Sequence, residues 1–191
     1  MKIEKLEVDN AVLRFALKDA RNGEANALRR AAMGHVRCFA IDKVTFYENS
    51  SAMFDEYIAH RIGMVPIKTP GKGYSETDEI LFSLDATGPV TVYSKELASA
   101  DKEVGVANGN IPIMKLAAEQ RLRLEGKAVM GIGATHSKFQ PGLVTFEEAG
   151  ENAFNFTVES FGQMKPLEIV SRALDALKDE LKEVEKEVKK L

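Results

Sequence analysis

Histidine, cysteine and carboxylate side chains lie close together at two places in the sequence, and both places are candidates for metal binding or acid–base chemistry. His35 and Cys38 are three residues apart, while His60 follows Asp55 and Glu56. A structural zinc site normally has four such ligands, and no second Cys or His pair completes this one. A carboxylate and an imidazole at i, i+4 suit proton transfer, but no nucleophile motif accompanies them. We therefore expect packing, capping and local ion pairing at both places.

Two further motifs match functional sites only in part. The Gly-Lys-Gly at 71–73 has the composition of a phosphate-binding loop, but it lacks the full glycine spacing and the strand-to-helix context of such loops. His136 stands alone in the stretch THSKF. We expect an ordinary surface loop at 71–73, and we assign no catalytic residue and no metal ligand to the chain.

The composition is that of an ordinary globular protein. Of the 191 residues, 45% are apolar and 29% are charged. The net charge of −3 argues against direct, specific nucleic-acid binding, which needs a basic surface. The single cysteine excludes internal disulfides and thiolate clusters. No apolar run approaches the ~20 residues of a membrane span and the N-terminus lacks a signal-peptide core, so we expect a cytoplasmic protein that binds no membrane.

The elements that position these side chains begin with a predicted helix over residues 24–37, with Asn22 as its N-cap. Its apolar positions recur at i, i+3, i+4, i+7 and i+8. They are Leu28, Ala31, Ala32, His35 and Val36. Because this stripe is mostly alanine, the backbone of a partner can approach it closely. Beside it lie Arg29 and Arg30, two planar donors suited to carboxylates or chain termini.

A strand and a second, short helix are predicted next. Residues 41–47 are rich in β-branched and aromatic side chains, as strands are. Ser50 or Ser51 is the predicted cap of the short helix that follows. Its expected core-facing residues are Phe54, Tyr57 or Ile58, and Ile62.

The order of these elements resembles a known family. The stretches NALRRAAMGHVRCFAIDKVTFYENSS and FDEYIAHRIGMVPIKT resemble the D subunit of archaeal RNA polymerase, which is related to the N-terminal domain of the bacterial alpha subunit and to its eukaryotic counterpart. The resemblance combines an LRR helix, an ID-x-V strand and a D-E-x-x-A-H-R-x-G-x-x-P segment, in that order. It is strong over these residues, looser from Phe156 to the C-terminus, and weak between Gly71 and Asn155.

Strand patterns on both sides of these elements predict an α+β fold. Residues 2–8 and 12–18 form a predicted hairpin with a turn at Asp9-Asn10. Short β-like runs follow the loop that begins at Thr69, and strand alternation returns over 154–160. We expect a discontinuous unit of a hairpin and two helices, residues 1–39 and 152–191, with a mostly-β region at 40–151 inserted into it.

The last predicted helix begins at Pro166 and carries an apolar seam. Its members step by 3 and 4 residues over about three heptads. They are Leu167, Val170, Leu174, Leu177, Leu181, Val184, Val188 and Leu191. The seam packs either on the chain's own sheet or on a helix of another polypeptide. Spacing this regular favours a helix partner, with the alanine stripe of helix 24–37 as a second contact surface.

The resemblance implies partners and an architecture for the chain. In the D-subunit family the N-terminal strands, the LRR helix and the C-terminal helix form a heterodimer with the smaller L subunit. A β-rich insertion contacts the large catalytic subunits and small zinc-bearing subunits. Many members also carry a ferredoxin-like domain with iron–sulfur clusters, but here the expected place between Phe139 and Phe154 has no cysteine, so we expect no cluster and no cofactor.

These observations predict a non-catalytic assembly subunit of a DNA-directed RNA polymerase. The residues expected to bind the L-type partner are Leu28, Arg29, Arg30, Ala31, Ala32, His35, Leu174, Leu177, Leu181 and Val184. Those expected to face a large subunit are Arg29, Arg30, Glu56, His60 and Arg61. The alternatives are a stand-alone homodimeric adaptor and, more remotely, a small hydrolase that uses His60.

Overall fold

The structure is a computed structural model that describes residues 2–9 and 11–190. The helices are α1 (Asn22–Gly34), α2 (Asp55–Gly63) and α3 (Pro166–Val188). The strands are β1 (Lys2–Val8), β2 (Val12–Lys18), β3 (Arg37–Asn49), β4 (Glu79–Thr87), β5 (Val90–Tyr93), β6 (Ala98–Ser99), β7 (Pro112–Leu116), β8 (Arg121–Ile132), β9 (Gly142–Gly150) and β10 (Ala153–Ser160). The α+β class is confirmed.

The chain divides into two compact units. The first unit consists of the chain up to Arg37 together with the chain from Ile132 onwards, and the inserted unit is Cys38–Gly131. None of the helices in the described residues combines the length and apolar character that a membrane crossing requires.

The first unit is an antiparallel sheet in the order β1-β2-β10-β9, packed against α1 and α3. Alternate residues of its central strands are buried, as a sheet with one covered face requires. Phe15 on β2 pairs with Phe156 on β10, and their rings stack with centroids 4.9 Å apart. This aromatic layer is the surface on which the two helices rest.

The predicted hairpin is confirmed, because β1 and β2 pair antiparallel over the expected residues. Asn10 of the predicted turn lies outside the described residues. The first helix differs from its prediction at both ends, since Arg21 rather than Asn22 is the N-cap and the helix ends at Gly34. The Glu24 carboxylate accepts a hydrogen bond from the Arg21 backbone N–H at 2.8 Å, which satisfies a donor that the helix itself leaves unpaired.

The strand β9 is part of the first unit, whereas the sequence placed its residues in the insertion. Its residues 142–150 pair with β10 along the whole strand, so their backbone groups complete the first sheet. The iron–sulfur domain of the family would lie between Phe139 and Phe154. In this chain β9 and β10 form a hairpin there, and Gly150 and Asn152 at its turn have positive φ. Periodicity identified the strand but not the sheet to which it belongs.

The inserted unit is built on a second sheet, in the order β3-β8-β4-β6, with the two-stranded sheet β5-β7 beside it. A single cluster of buried apolar side chains joins these strands to α2. It includes Phe39, Ile41, Ile58, Ile62, Phe82 and Leu124. Gly126 on β8 lets Ile41 of β3 pack close, because an added Cβ would lie 3.0 Å from the Ile41 side chain.

Candidate functional site

The first half of α3 is part of the core of the first unit. Pro166 sits at the first turn, where its missing N–H costs nothing and its fixed φ suits the helix. Ile169 and Ala173 are fully buried, and Val170 is nearly so. Helix α3 contacts β10, β2 and α1, and the burial of its first half stabilises the fold of the chain itself.

The second half of α3 leaves the core and exposes its apolar residues. We call Leu174, Leu181, Val184 and Val188 the outer seam; they are 39%, 69%, 59% and 59% exposed. Leu177 is half-buried, and every described residue from Lys178 onwards is exposed. Leu191, the last member of the predicted seam, lies outside the described residues. Four large apolar side chains in a row on one exposed helix face are typical of an interaction surface.

The seam and the core-facing stripe of α3 are different faces of the same helix. Leu167, the first member of the predicted seam, is 67% exposed although its neighbour Pro166 is buried. The two faces share Val170. A helix that needed only to cover its own sheet would have a single apolar stripe.

The exposed half of α3 is held helical by its own ion pairs. Its side-chain pairs at i, i+3 and i, i+4 include Asp175–Lys178 at 3.2 Å and Asp179–Lys182 at 2.9 Å. The hydrogen bond from the Lys182 ammonium lowers the pKa of the Asp179 carboxyl, and the positive charge of that ammonium adds to the effect. Ion pairs between such exposed side chains stabilise a helix only weakly, so the set supports the helix without anchoring it to the core.

A polar side-chain contact joins the second half of α3 to His35, the residue that follows α1. Nδ1 of His35 lies against the carboxylate of Glu180, and both side chains are partly exposed. The predicted contact of His35 with a partner stays a prediction, since its side chain is partly exposed although it also contacts Glu180. Beyond Glu180 the helix continues for two further turns.

The alanine stripe of α1 is covered by the chain itself. Leu28, Ala31 and Ala32 are 6%, 1% and 1% exposed, because α1 packs against α3 and β9. In this fold the side chains of these residues are engaged within the first unit, and their predicted contact with a partner stays a prediction. Small side chains let the first unit close on itself: a Cβ added at Gly133 would lie only 2.1 Å from the backbone oxygen of Met33.

The two arginines of α1 differ in what they contact. Nε and Nη2 of Arg29 donate to Oδ1 of Asn26 at 3.2 and 2.8 Å, within the same helix. Arg30 is exposed and makes no ion pair or side-chain hydrogen bond with the residues that the structure describes. Of the doublet, Arg30 is the guanidinium that is free for a carboxylate of another protein.

The face that α2 buries is narrower than predicted. Ile58 and Ile62 are fully buried, whereas Phe54 and Tyr57 are 70% and 64% exposed. Phe54 is therefore not a core residue. It occupies the N-cap position, where its backbone is extended. The predicted serine cap is also wrong, because Ser50 bonds to Arg121 and Ser51 to Asn49.

The charged residues of α2 fall into two groups. Glu56 and His60 are exposed, as a surface for another subunit requires. Nε and Nη2 of Arg61 instead donate to the carbonyl oxygens of Ile113 and Pro112, at 2.7 and 2.5 Å. This guanidinium holds α2 against β7, so its first role is inside the unit. Asp55, the other candidate carboxylate, accepts from Nδ2 of Asn49 at 2.7 Å.

The residues considered for metal binding do not come together. Cys38 is fully buried on β3, His35 lies at the end of α1 and His60 is on the exposed face of α2. Within residues 2–9 and 11–190, no three His, Cys, Asp or Glu side chains are placed to hold a metal ion.

The exposed aromatic pair is the feature that sequence reasoning missed. The rings of Phe54 and Tyr57 lie 6.4 Å apart and, with Met53, form an apolar patch on the inserted unit. A signal was present, since Tyr57 and Ile58 are adjacent and cannot both face the core on one helix.

Comparison with known proteins matches this chain to polymerase subunits. The family model for the RNA polymerase Rpb3/RpoA insert domain matches residues 44–145, more than half of the chain. The chain is 45% identical over 165 residues to the DNA-directed RNA polymerase subunit Rpo3 of Methanocaldococcus jannaschii, covering 86% of this chain and 84% of that protein.

Two further relatives carry the same name. The Rpo3 of Pyrococcus furiosus is 44% identical over 153 residues, which cover 77% of this chain and 59% of that protein. The Rpo3 of Halobacterium salinarum is 43% identical over 141 residues, covering 74% of this chain and 56% of that protein. The chain thus matches less than two thirds of the length of these two relatives.

Proposed function

The chain belongs to the Rpo3 family of archaeal DNA-directed RNA polymerase subunits, and from this we propose that it is a non-catalytic assembly subunit of such a polymerase. It forms a heterodimer with an L-type subunit, and that heterodimer nucleates assembly of the large catalytic subunits and small zinc-bearing subunits. On this proposal the first unit is the dimerisation domain, and the inserted unit faces other subunits.

One observation carries the proposal. The outer seam exposes Leu174, Leu181, Val184 and Val188, although the other half of the same helix is tightly packed. Exposed heptad positions on a helix are buried most effectively by a second helix, whose side chains fit between them. The seam advances by ten residues from Leu174 to Val184. At a rise of 1.5 Å per residue this is a length of roughly 15 Å, which is enough for three turns of a partner helix.

The large subunits are proposed to contact exposed charged residues of each unit. On the first unit, the exposed guanidinium of Arg30 makes no ion pair or side-chain hydrogen bond with the described residues. On the inserted unit, Glu56 and His60 are exposed on α2. Charged groups of both signs favour electrostatic recognition of a complementary surface, which sets orientation and association rate more than affinity. Leu28, Ala31, Ala32 and Arg61 are not part of the proposed contact surface, because their own unit already engages them.

A homodimeric adaptor is the alternative that the same seam permits, since a heptad face can pair with its own copy. The test is the mass of the purified chain alone and after co-expression with an L-type subunit, measured by light scattering. A 1:1 heterodimer that excludes the homodimer supports the proposal. Stable homodimers that ignore the L-type subunit, or a monomer that does not bind it, would overturn it.

A further inference from the structure

The aromatic patch on the inserted unit borders a preformed groove. The groove has a volume of about 500 Å³ and lies wholly within that unit. The residues that matter for recognition are Met53, Phe54, Tyr57, Met114, Lys115 and Gln120. Its lining is predominantly apolar, as is usual for sites that take up a ligand side chain.

The wall of the groove is held rigid before anything binds. Nδ2 of Asn49 donates to the Met53 carbonyl at 2.8 Å, and the Ser51 hydroxyl donates to Oδ1 of Asn49 at 2.6 Å. The Met53 backbone N–H in turn donates to the hydroxyl oxygen of Ser51 at 3.2 Å. These bonds fix the short segment that presents Met53 and Phe54. A rigid apolar site loses little conformational entropy on binding, which favours affinity.

The charges around the groove indicate what it binds. Lys115 is the one charged residue in its lining; it is exposed and forms no ion pair with any residue that the structure describes. The acidic residues at the start of α2, Asp55 and Glu56, do not line the groove, and the Asp55 carboxylate accepts a hydrogen bond from Nδ2 of Asn49 at 2.7 Å. The groove therefore combines large apolar side chains with one uncommitted positive charge.

We propose that this groove docks a segment of another polymerase subunit in which a large apolar side chain lies next to an aspartate or glutamate. The apolar side chain packs on Phe54 and Tyr57, and the carboxylate pairs with Lys115. Aromatic residues in such pockets commonly dominate the free energy of an interface, whereas the ion pair sets orientation. The inference rests on the proposed function, because it takes the occupant from the same assembly.

Cross-linking in the assembled polymerase tests the identity of the occupant. Tyr57 is replaced by the photo-reactive residue p-benzoylphenylalanine, and Tyr47, which is exposed on β3 of the same unit, is replaced in the control. We expect Tyr57, and not Tyr47, to cross-link to a segment of a different subunit that has an acidic residue beside an apolar one. Cross-linking to a second copy of this chain, to a segment without an acidic residue, or to nothing overturns the proposal.

Substitutions test the apolar part and the charged part of the groove separately, in polymerase reconstituted from its subunits. Phe54→Ala is expected to weaken binding of the heterodimer to the remaining subunits by about tenfold or more. Lys115→Glu should weaken it by about threefold to tenfold and Lys115→Arg hardly at all, with Lys102→Glu as the exposed-lysine control. Unchanged binding in both Phe54→Ala and Lys115→Glu overturns the groove proposal.

The failure of this inference is distinguishable from failure of the proposed function. Formation of the heterodimer with the L-type subunit is measured first and separately, and the groove variants should leave it unchanged. A chain that forms no heterodimer refutes the assembly role, whereas an intact heterodimer with indifferent groove variants refutes only the groove.

Discussion

The two halves of α3 share an apolar spacing of three and four residues but have opposite surroundings. From Pro166 to Ala173 the helix buries Ile169, Val170 and Ala173 against its own sheet. From Leu174 to Val188 it exposes leucine and valine at the same 3–4 spacing. Regular apolar spacing therefore predicts that a helix face is buried by something, but not by what. The first half stabilises the chain, and the second half is available to a partner.

The largest effect is expected from a charge in the buried half. Ala173→Asp places a carboxylate where the native side chain is 0% exposed, so we expect a loss of about 3 kcal/mol or more in the free energy of unfolding. Denaturant unfolding of the isolated chain measures it. Ser171→Asp, two residues away and exposed, is the control and should change the free energy by less than about 0.5 kcal/mol.

A negative charge in the exposed half should leave stability almost unchanged and weaken partner binding. Leu181→Asp is expected to leave the unfolding free energy within about 0.5 kcal/mol of the native chain, because Leu181 is 69% exposed. It should weaken the affinity for the L-type subunit by about 2 kcal/mol, since it buries a charge at an apolar contact. Titration calorimetry measures the affinity.

Lys186→Asp on the opposite face of the exposed half is the matched control for Leu181→Asp. If Leu181→Asp binds the L-type subunit as tightly as the native chain does, this half of α3 is not the interface.

Leu177 lies at the boundary between the buried and the exposed half of α3. Because it is half-buried, Leu177→Ala should cost about 1 kcal/mol in unfolding and a comparable amount in partner binding. Both quantities can be obtained from one purified variant. A large effect on stability with none on binding would move the boundary towards the C-terminus.

The smallest effect concerns pH and the ion pairs of the exposed half. The pKa of Asp179 is lowered in the folded chain by Lys182, so this pair stabilises the helix at pH values above the ordinary Asp pKa. That stabilisation is lost as the pH falls through the lowered pKa. Amide exchange should show the residues around Asp179 opening at acid pH before those around Ile169, and Asp179→Asn should remove the difference in pH dependence.

Local patterns in the sequence were sufficient for the elements themselves. The hairpin of β1 and β2, the strand β10 and the start of α3 at Pro166 all follow from alternation, turn residues or proline placement. These signals act over a few residues and depend on the side chains and backbone conformation of those residues. The predictions based on them are confirmed because contacts with distant residues do not oppose them.

Contacts between distant residues decided what the patterns left open. The alanine stripe of α1 looked equally suited to a partner, and only the approach of α3 and β9 shows that its own chain covers it. Arg61 looked like a surface charge until the carbonyls of β7 were seen to bind it. Phe54 looked like core, yet the turn of chain before α2 directs it outward.

The α+β class, the family, the helix α3 and its seam follow from the order of residues, because spacing and motif are properties of neighbouring residues. Only the folded chain shows which apolar faces it covers, which charges it uses internally, and where an exposed groove remains. The physical reason is that burial depends on residues far apart in sequence. Periodicity specifies that a face is apolar, and only the packed fold specifies what lies against it.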